Sequence, residues 1–596
     1  MPMLARSAVR PKIVAATRRY GREGAGPRMA SAKDVGELIE AAARKRFSEQ
    51  GKPFVPARPT APAPALSTPV RHGTTAAETR GSVRRTQSLA LTTSSGTGIN
   101  QWWHYEEQNV PGGGHVMVNV GTGNLLLQED DMSVAHKGIA MEFRRTYNSQ
   151  SLHDVNGDDG GYPGMYGNGW TTTWDAHITG TSSVINVFDI DGAEYTYTLA
   201  SDGVTWAPPS GQHATLVPDT ACGFLWTKKS GTTYHFYAPY QPATCPDSYS
   251  TFGGYAGRLY KILGRNTNNH IALAYSWLNG NESPSGQITQ ITATTESGMV
   301  TTLNFANVNG YQLLQQIVYP DGQTTVNYSY DSDGNLTSVV RPGPSTNGTV
   351  TETYGYQTGP SGYLLHWAAS PRWAASTGGC GTMVTDCGGY LAFGYLAGAT
   401  NATTTLNQIQ HIAWVDPTVP DGVSTSSIQT QPATGSGTAS YPYLFEFFDI
   451  GGPGVAGASS SQDTDGHYTV WIVDALGRST QTQECPAPQG TPSMGMSCPG
   501  TDLFSNETWD ANNNLVSEID PRGYETDHAF DANGNEVAVA EPLQSVTAPN
   551  GTLSVRPTQL YDYDAYNNIV AYCDQRATNS AGANWTVTPT TNLDSL

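Results

Sequence analysis

Charged residues are scarce in this chain of 596 residues, which has 31 Lys and Arg and 51 Asp and Glu, or 14% of the sequence. Soluble proteins usually carry about a quarter. Because long helices in soluble proteins depend on charged helix formers, the shortage argues against a coiled coil, a helical solenoid or a conventional α/β enzyme. The chain is rich instead in turn formers, with 65 Gly and 37 Pro. We therefore expect turns and strands.

Long apolar runs are absent as well. No stretch approaches the ~20 apolar residues that a membrane-spanning helix needs, and the N-terminus MPMLARSAVR does not lead into the apolar segment of a secretory signal. We therefore expect no transmembrane segment. The cysteine arrangement described below favours a secreted or cell-surface protein, whose route of export is not visible in the sequence.

Charge is distributed unevenly along the chain. Residues 1–100 hold 17 basic and 6 acidic side chains, whereas residues 101–596 hold 14 basic and 45 acidic ones. Because an acidic body repels nucleic acid, we expect no nucleic-acid partner. We interpret residues 1–100 as a basic and largely disordered arm, with a possible helix at 32–50 and a Pro/Ala-rich linker at 52–70.

Cysteines are few, and six of the seven form three pairs that are close in sequence. Each pair lies in a stretch rich in Gly, Pro, Ser or Asp, which is typical of loops that can bring two sulfur atoms together. The spacings do not fit zinc motifs. Free thiols in a reducing compartment remain the alternative. The candidate disulfides are Cys222 with Cys245, Cys380 with Cys387, and Cys485 with Cys498.

Motifs for phosphate binding, zinc proteolysis and serine hydrolysis are missing, because the sequence contains no GxxxxGK[ST], HExxH or GxSxG. Residues 452–457 fit GxGxxG after a strand-like run, but the residues that follow are a poor start for a helix. No helix N-terminus would then face a pyrophosphate. The sequence therefore predicts no catalytic residues and no cofactor.

A weak calcium-binding candidate remains. Asp154, Asn156 and Asp158 place oxygen ligands at alternate positions, as the start of a calcium loop does, but Met165 stands where the closing acid would be. A solvated turn rich in Asp, Asn and Gly is the favoured interpretation.

Alternating strand patterns begin at Gln101 and include VINVFDI, HIALAYSWL and QTTVNYSYD. Dipeptides such as DG, NG and GN separate them and supply the positive φ of tight hairpin turns. The sequence thus predicts an all-β fold built as a long antiparallel meander. We divide it into a β-rich lead-in at 101–360 that runs into the first repeat, a Gly/Ser-rich β region containing loops at 361–465, and degenerate repeats at 466–596.

A short motif recurs in the turns: an aromatic residue, Asp, two or three turn residues and Asn, usually followed by an aliphatic residue. The Asp can cap its own turn, a Gly or Asn can take positive φ, and the aromatic residue can pack against the next unit. Each unit plausibly adds one hairpin to a growing sheet. The motif residues are Tyr330, Asp331, Gly334 and Asn335; Asp474, Gly477 and Arg478 in a variant; Trp509, Asp510 and Asn514; Phe530, Asp531, Gly534 and Asn535; and Tyr563, Asp564 and Asn568.

At these residues the sequence resembles the Rhs/YD-repeat family, which includes polymorphic-toxin shells and teneurin-like proteins. Upstream stretches at 121–127, 143–149 and 166–170 resemble the domain that precedes the repeats in that family. The resemblance implies an open or partial β-shell, with further YD repeats or a C-terminal cargo as partners. The chain departs from the family in having few, degenerate repeats and no visible self-cleavage core or toxin segment, and we expect it to be the leading part of a longer array.

Two functions follow from the sequence. The first is a non-enzymatic Rhs/YD-repeat shell or surface interaction protein, which is the leading part of a polymorphic-toxin or adhesin scaffold. The alternative is a secreted carbohydrate-binding or carbohydrate-active β protein that uses Tyr and Trp platforms and a pair of acids. The repeats favour the first function.

Overall fold

The computed structural model describes the main part of the chain with gaps. The described residues are 97–109, 114–136, 138–151, 164–219, 222–240, 255–266, 268–280, 282, 287–343, 348–359, 362–369, 390–395, 409–415, 443–448, 457–462, 467–485, 503–548 and 551–573. The helix expected at 32–50 and the linker at 52–70 lie outside them. Every described residue except Cys573 belongs to one compact unit of the chain, and the other unit is otherwise made of residues outside this description.

The described part is an all-β fold of antiparallel strands, which confirms the predicted fold class. Two small sheets come first. The first contains β1 (Tyr105–Asn109), β2 (His115–Asn119), β3 (Leu125–Val134), β4 (Met141–Asn148) and β5 (Trp170–Thr172), and the second contains β6 (His177–Gly180), β7 (Val184–Phe188), β8 (Glu194–Leu199) and β9 (Trp206–Ala207).

The third sheet has 24 strands and is open, because its first and last strands are not paired with each other. It begins with β10 (Thr215–Asp219), β11 (Gly223–Thr227), β12 (Thr233–Tyr237), β13 (Leu259–Leu263), β14 (His270–Trp277), β15 (Ile288–Thr295), β16 (Val300–Val308), β17 (Tyr311–Val318), β18 (Thr325–Tyr330), β19 (Leu336–Pro342), β20 (Thr349–Gly359) and β21 (Gly362–Ala369). A single 3₁₀ turn at Leu278–Gly280 follows β14.

The same sheet continues with β22 (Tyr390–Tyr395), β23 (Ile409–Val415), β24 (Tyr443–Phe448), β25 (Gly457–Gln462), β26 (Tyr468–Val473), β27 (Ser479–Cys485), β28 (Leu503–Trp509), β29 (Leu515–Ile519), β30 (Glu525–Phe530), β31 (Glu536–Ala540), β34 (Thr558–Tyr563) and β35 (Ile569–Cys573). A separate hairpin pairs β32 (Gln544–Ala548) with β33 (Gly551–Val555). No helix in the described part is long and apolar enough to cross a membrane.

The Gly/Ser-rich region at 361–465 contains strands in its described part, and the rest of it lies outside the described residues. Strands β21 to β26 pair consecutively, so the meander continues through it. In β25, Ser459 and Ser460 are 1% and 2% exposed. Small side chains of this kind can fill a strand that is covered on both faces, which explains how a loop-like composition forms a buried strand. The boundaries of the three predicted regions stay predictions.

The hydrophobic core joins the small sheets to the upstream half of the large one. Phe143 on β4 contacts Tyr166, which in turn contacts Phe305 on β16, with ring centroids 6.1 Å apart in both pairs. Alternation explains this packing: β18 buries Val326 and Tyr328 and turns the residues between them outward. The repeat strands bury less, since all six residues of β34 are only half-buried.

Candidate functional site: docked repeat turns and a buried ion cluster

Each motif Asp organises its own turn. Oδ1 of Asp331 accepts hydrogen bonds from the backbone N–H groups of Asp333 and Asn335, both at 2.9 Å, and Oδ2 accepts one from the Asn335 side chain at 2.9 Å. This pattern explains why Asp and Asn recur four residues apart. The same three bonds form in the turns Asp510 to Asn514, Asp531 to Asn535 and Asp564 to Asn568.

The residue before the motif Asn has positive φ, as the motif predicts. The φ angles are 83° at Gly334, 75° at Gly477, 68° at Gly534, 60° at Asn513 and 59° at Asn567. Glycine adopts this left-handed conformation without steric cost, and asparagine tolerates it better than most residues do.

The first motif turn lies on the 166–170 stretch. The Asn168 backbone N–H donates to the Gly334 carbonyl at 3.2 Å, and its side chain donates to the Asp333 carbonyl and to Oδ1 of Asn335, both at 2.9 Å. Asn168 and Asn335 are 7% and 3% exposed. Three hydrogen bonds of the buried Asn168 therefore connect the lead-in to the first repeat.

The second turn, from Asp474 to Arg478, lies on the 121–127 stretch. A Cβ atom built on Gly121 would lie 2.1 Å from the Gly477 carbonyl oxygen, so only glycine permits this approach. The Trp103 indole N–H donates to the Leu476 carbonyl at 2.9 Å. Glycine at position 121 thus serves the contact between two distant segments.

Arg478 links the second turn to the third. Its Nε donates to Oδ2 of Asp474 at 2.7 Å, which replaces the usual Asn bond. Its NH1 group donates to the Asp510 carbonyl at 2.9 Å and to Oδ1 of Asn513 at 2.8 Å. The arginine variant of the motif therefore bridges neighbouring turns.

The remaining turns rest on residues 210–265 of the lead-in. The Asn513 side chain donates to the Ser210 carbonyl at 2.9 Å. Lys229 donates from Nζ to the Gly534 carbonyl at 2.5 Å and accepts at its own carbonyl from the Asn567 side chain at 3.0 Å. The fourth and fifth turns thus share one lead-in residue.

Arg265 completes the contact of the fifth turn. Its guanidinium donates to the Tyr566 carbonyl at 3.1 Å and to Oδ1 of Asn568. The fourth turn also meets the fifth, because the Asn535 side chain donates to Oδ1 of Asn567 at 2.8 Å. We call the five motif turns and these partners the docking row.

A second feature is a group of buried ion pairs around Arg145, which lies in the 143–149 stretch. Arg145 on β4 is 1% exposed and donates to both carboxylate oxygens of Asp131 on β3, at 2.5 and 2.9 Å. Its NH2 group also reaches Oε2 of Glu352 on β20 at 3.3 Å. Although burial opposes the charge, the Asp131 carboxylate raises the pKa of Arg145 well above its ordinary value. Arg145 is therefore a permanent cation.

Two further charged side chains complete this group. Arg341 on β19 pairs with Oε1 of Glu352 and lies 4.0 Å from Oε2 of Glu129 on β3. We call Glu129, Asp131, Arg145, Arg341 and Glu352 the ion cluster. The Arg145 guanidinium also stacks 4.9 Å from the centre of the Trp170 ring. The cluster ties the first sheet to the large one.

Some predicted sites cannot be placed. Cys222 and Cys485 are each disulfide-bonded, but the cysteines proposed as their partners lie outside the described residues, so the pairing stays a prediction. The third cysteine pair and the calcium candidates also lie outside them. These residues are Cys245, Cys498, Cys380, Cys387, Asp154, Asn156 and Asp158.

The sequence did not predict which lead-in residues contact the motif turns. Gly121 and Asn168 fall in stretches that were singled out only for their family resemblance, and Ser210, Lys229 and Arg265 carried no signal. Their partners lie far away in the chain, 303 residues for Ser210 and Asn513. No local pattern reports such a contact.

Two family models match the chain in these same regions. The RHS Repeat model matches residues 509–545, which include the turns at Asp510 and Asp531. A domain of unknown function, DUF6531, matches residues 116–197, which include Gly121, Asn168 and most of the first two sheets. The resemblance to the Rhs/YD-repeat family is therefore confirmed: the chain carries an RHS repeat and the domain of unknown function upstream of it.

Curated relatives match over a shorter part. The tRNA nuclease WapA of Bacillus subtilis (strain 168) is 27% identical over 139 residues, which are 23% of this chain and 5% of that protein. The tRNA3(Ser)-specific nuclease WapA of Bacillus spizizenii gives the same identity and coverage. The match thus spans a small fraction of the length of these relatives.

Solved structures show only a distant likeness. The match to the crystal structure of TcdB2-TccC3-Cdc42 covers 77% of this chain and 23% of the matched chain in that structure, at 11% identity and a TM-score of 0.28. The match to the structure of the Photorhabdus luminescens Tc holotoxin pore covers 79% of this chain and 24% of the matched chain, at 10% identity and a TM-score of 0.22. TM-scores this low do not establish a common fold.

Proposed function

We propose that this chain is a non-enzymatic scaffold segment of an Rhs-type, toxin-associated protein. The observation that carries the proposal is the docking row, in which five motif turns rest on upstream turns of the lead-in through hydrogen bonds, most of which are half-buried. These contacts fix the position of the repeat strands relative to the lead-in.

The motif acids support a structural role. In all five turns both oxygens of the Asp carboxylate accept hydrogen bonds from the turn itself, with Arg478 in the place of Asn in the second turn. A carboxylate whose lone pairs are engaged in this way is a poor general base or metal ligand. The most conspicuous acids of the sequence therefore build turns.

The partner of this scaffold is further repeat strands or a cargo that follows them. Among the described strands, β35 lies at the end of the large sheet and pairs only with β34. Ile569, Val570 and Tyr572 on it are 48%, 59% and 51% exposed. An unpaired edge with exposed apolar side chains suits the addition of another hairpin.

Disulfide-bonded Cys222 and Cys485 support a place outside the cytosol.

Hydrolysis assays test the absence of catalysis. The purified full chain is incubated with total tRNA and, separately, with a panel of polysaccharides. A scaffold leaves both intact. Cleavage of tRNA would replace this proposal with a nuclease, and cleavage of a polysaccharide would replace it with the carbohydrate-active alternative.

Limited proteolysis tests the docking that the proposal needs. Brief trypsin treatment of the full chain should first remove the basic residues before about 97, because Arg145 and Arg478 are held in ion pairs and their side chains are 1% and 13% exposed. First cuts at Arg145 or Arg478 would contradict the scaffold.

A further inference from the structure

The ion cluster contains more acid than base. Glu129, Asp131 and Glu352 face only Arg145 and Arg341, so full ionisation leaves one negative charge in excess. All five side chains are largely buried, with exposed fractions of 5% for Glu129 and Glu352, 0% for Asp131, 1% for Arg145 and 15% for Arg341. An uncompensated charge at such a depth is costly, and one acid must carry a proton to avoid it.

Two of the three acids are well paired. Asp131 accepts two hydrogen bonds from Arg145 and a third from the Tyr328 hydroxyl at 2.6 Å. Glu352 accepts from the Tyr354 hydroxyl at 2.9 Å and pairs with both arginines. Each of these acids therefore has hydrogen-bond donors and a guanidinium in direct contact.

Glu129 is the poorly paired acid. Its Oε2 atom accepts no hydrogen bond from any described residue and lies 4.0 Å from the nearest guanidinium nitrogen of Arg341. On the other side, a Cβ built on Gly114 would lie 2.0 Å from Oε1, so backbone encloses the carboxyl group closely.

The charges facing Glu129 come from several strands. Its own strand contributes Asp130 and Asp131, β4 contributes Arg145, and β19 contributes Arg341. Tyr354 of β20 also lies near enough to interact with it.

Other neighbours do not alter this balance. Glu352 of β20 is engaged by the two arginines, and His115 of β2 lies opposite Gln128, on the other face of β3. Burial outweighs the attraction of Arg145 and Arg341 and raises the pKa of Glu129 to about 7.

We propose that Glu129 is a proton-operated clasp, which holds β3 and β4 of the first sheet against β19 and β20 of the large sheet while its carboxyl group is neutral. Separation of these strands brings the carboxyl group into water, where it ionises and releases a proton. The clasp is tight in acid and opens more readily at neutral and alkaline pH.

The direction follows from linkage. A carboxyl group whose pKa is higher in the closed state than in the open state stabilises the closed state fully below its ordinary pKa. That stabilisation is lost as the pH rises toward the closed-state value of about 7. The sensitive window therefore runs from about pH 4.5 to pH 7.

Hydrogen exchange measured by mass spectrometry tests the clasp in the full chain. Peptides from β3, β4, β19 and β20 are followed between pH 5.5 and 8 and corrected for intrinsic exchange rates. Wild type should open roughly 10- to 100-fold more often at pH 8 than at pH 5.5. Glu129→Gln should show little dependence and stronger protection than wild type at pH 8. Glu142→Gln, at an exposed position of β4, is the matched control and should follow wild type.

An equal pH dependence in wild type and Glu129→Gln would overturn the clasp, as would an effect of the same size in Glu142→Gln. If Glu129→Gln does not fold, the test uses wild type alone and compares the pH dependence of opening in two pairs of its strands. The opening of β3 and β4 should then rise with pH while that of β15 and β16, which lie outside the cluster, stays level. A parallel rise in both pairs, or in neither, would also overturn it.

Discussion

Two kinds of Asp turn in the repeats have the same internal structure and different surroundings. Asp520 accepts from the N–H groups of Arg522 and Tyr524, both at 2.9 Å, and Gly523 has a φ of 82°. The motif turns have these features too. A Cβ built on Gly523, however, meets nothing within 4 Å, whereas one built on Gly534 would lie 2.2 Å from the His213 ring.

The difference comes from the end of the strands at which each turn lies. In an antiparallel meander successive turns alternate between the two ends of the strands. The Asp510 and Asp531 turns therefore lie at one end and the Asp520 turn between them at the other. Among the described turns between residues 503 and 540, those at Asp510 and Asp531 contact the lead-in, whereas a Cβ on Gly523 in the Asp520 turn meets nothing. Local sequence makes the turn, and its position in the meander decides whether it docks.

The largest effect should come from Gly121→Ala. The added methyl group would meet the Gly477 carbonyl oxygen at 2.1 Å, and relief requires movement of backbone at the second turn. We expect a loss of about 3 kcal/mol in the free energy of unfolding, measured by urea denaturation. Gly203→Ala is the control: its φ of 69° strains an alanine by about 1 kcal/mol, but a Cβ there meets nothing within 4 Å. A control that loses as much would remove the distinction between docked and free positions.

A smaller loss should follow Asn168→Ala. This change removes the side-chain donor from Oδ1 of the buried Asn335 and from the carbonyl of the exposed Asp333. An unsatisfied buried acceptor costs about 1 kcal/mol, and water can replace most of the bond at Asp333, so we expect a loss of about 1.5 kcal/mol in urea denaturation. Asn327→Ala, at an exposed position of β18, should cost much less, and equal costs would contradict the role of Asn168.

The direct comparison of turns uses Gly534→Ala and Gly523→Ala. Both glycines have positive φ, at 68° and 82°, so both variants carry a similar backbone strain. Only Gly534 contacts His213. Gly534→Ala should therefore cost about 1 kcal/mol more than Gly523→Ala. Equal midpoints of unfolding would show that docking adds nothing at the fourth turn.

The smallest effect is a pH dependence within the repeats. Glu507 on β28 lies opposite Glu518 on β29, and burial, followed by the Glu518 charge, raises the pKa of Glu507 to about 7. Stability from this group is present below its ordinary pKa and declines as the pH rises toward 7. Glu507→Gln should match wild type at pH 5 and exceed it by less than ~1 kcal/mol at pH 8, since the site is partly exposed.

The exposed residue Glu525 provides the control for this prediction. Glu525→Gln should leave the pH dependence of the urea midpoint unchanged. A variant of Glu507 that is no more stable than wild type at pH 8 would show that the two facing carboxylates are already relieved by solvent.

The fold could be predicted from local sequence to a large extent. Alternation in runs such as VINVFDI predicts strands, and the spacing of Asp531 and Asn535 predicts the turn that the structure contains. Both depend on interactions within a few residues. The buried serines of β25 could not be predicted, because their burial depends on the neighbouring strands that cover them.

The candidate site could be predicted only on its repeat side. The Asp of each motif carries a local signal, whereas Lys229 looks like an ordinary turn lysine until the fourth and fifth turns are placed on it. Glu129 likewise differs from other acids only through Arg341 and Gly114, which reach it through the fold. Contacts between distant segments leave no trace in a single sequence.

The central claim is that docking on the lead-in stabilises the repeats, and hydrogen exchange across residues 467–573 tests it most directly. The full chain is compared with its Gly121→Ala and Gly203→Ala variants. We predict that Gly121→Ala lowers the protection of β26 to β31, more than 346 residues away in sequence, while Gly203→Ala leaves it unchanged. A loss confined to the strands around Gly121, with full protection of the repeats, would contradict the claim.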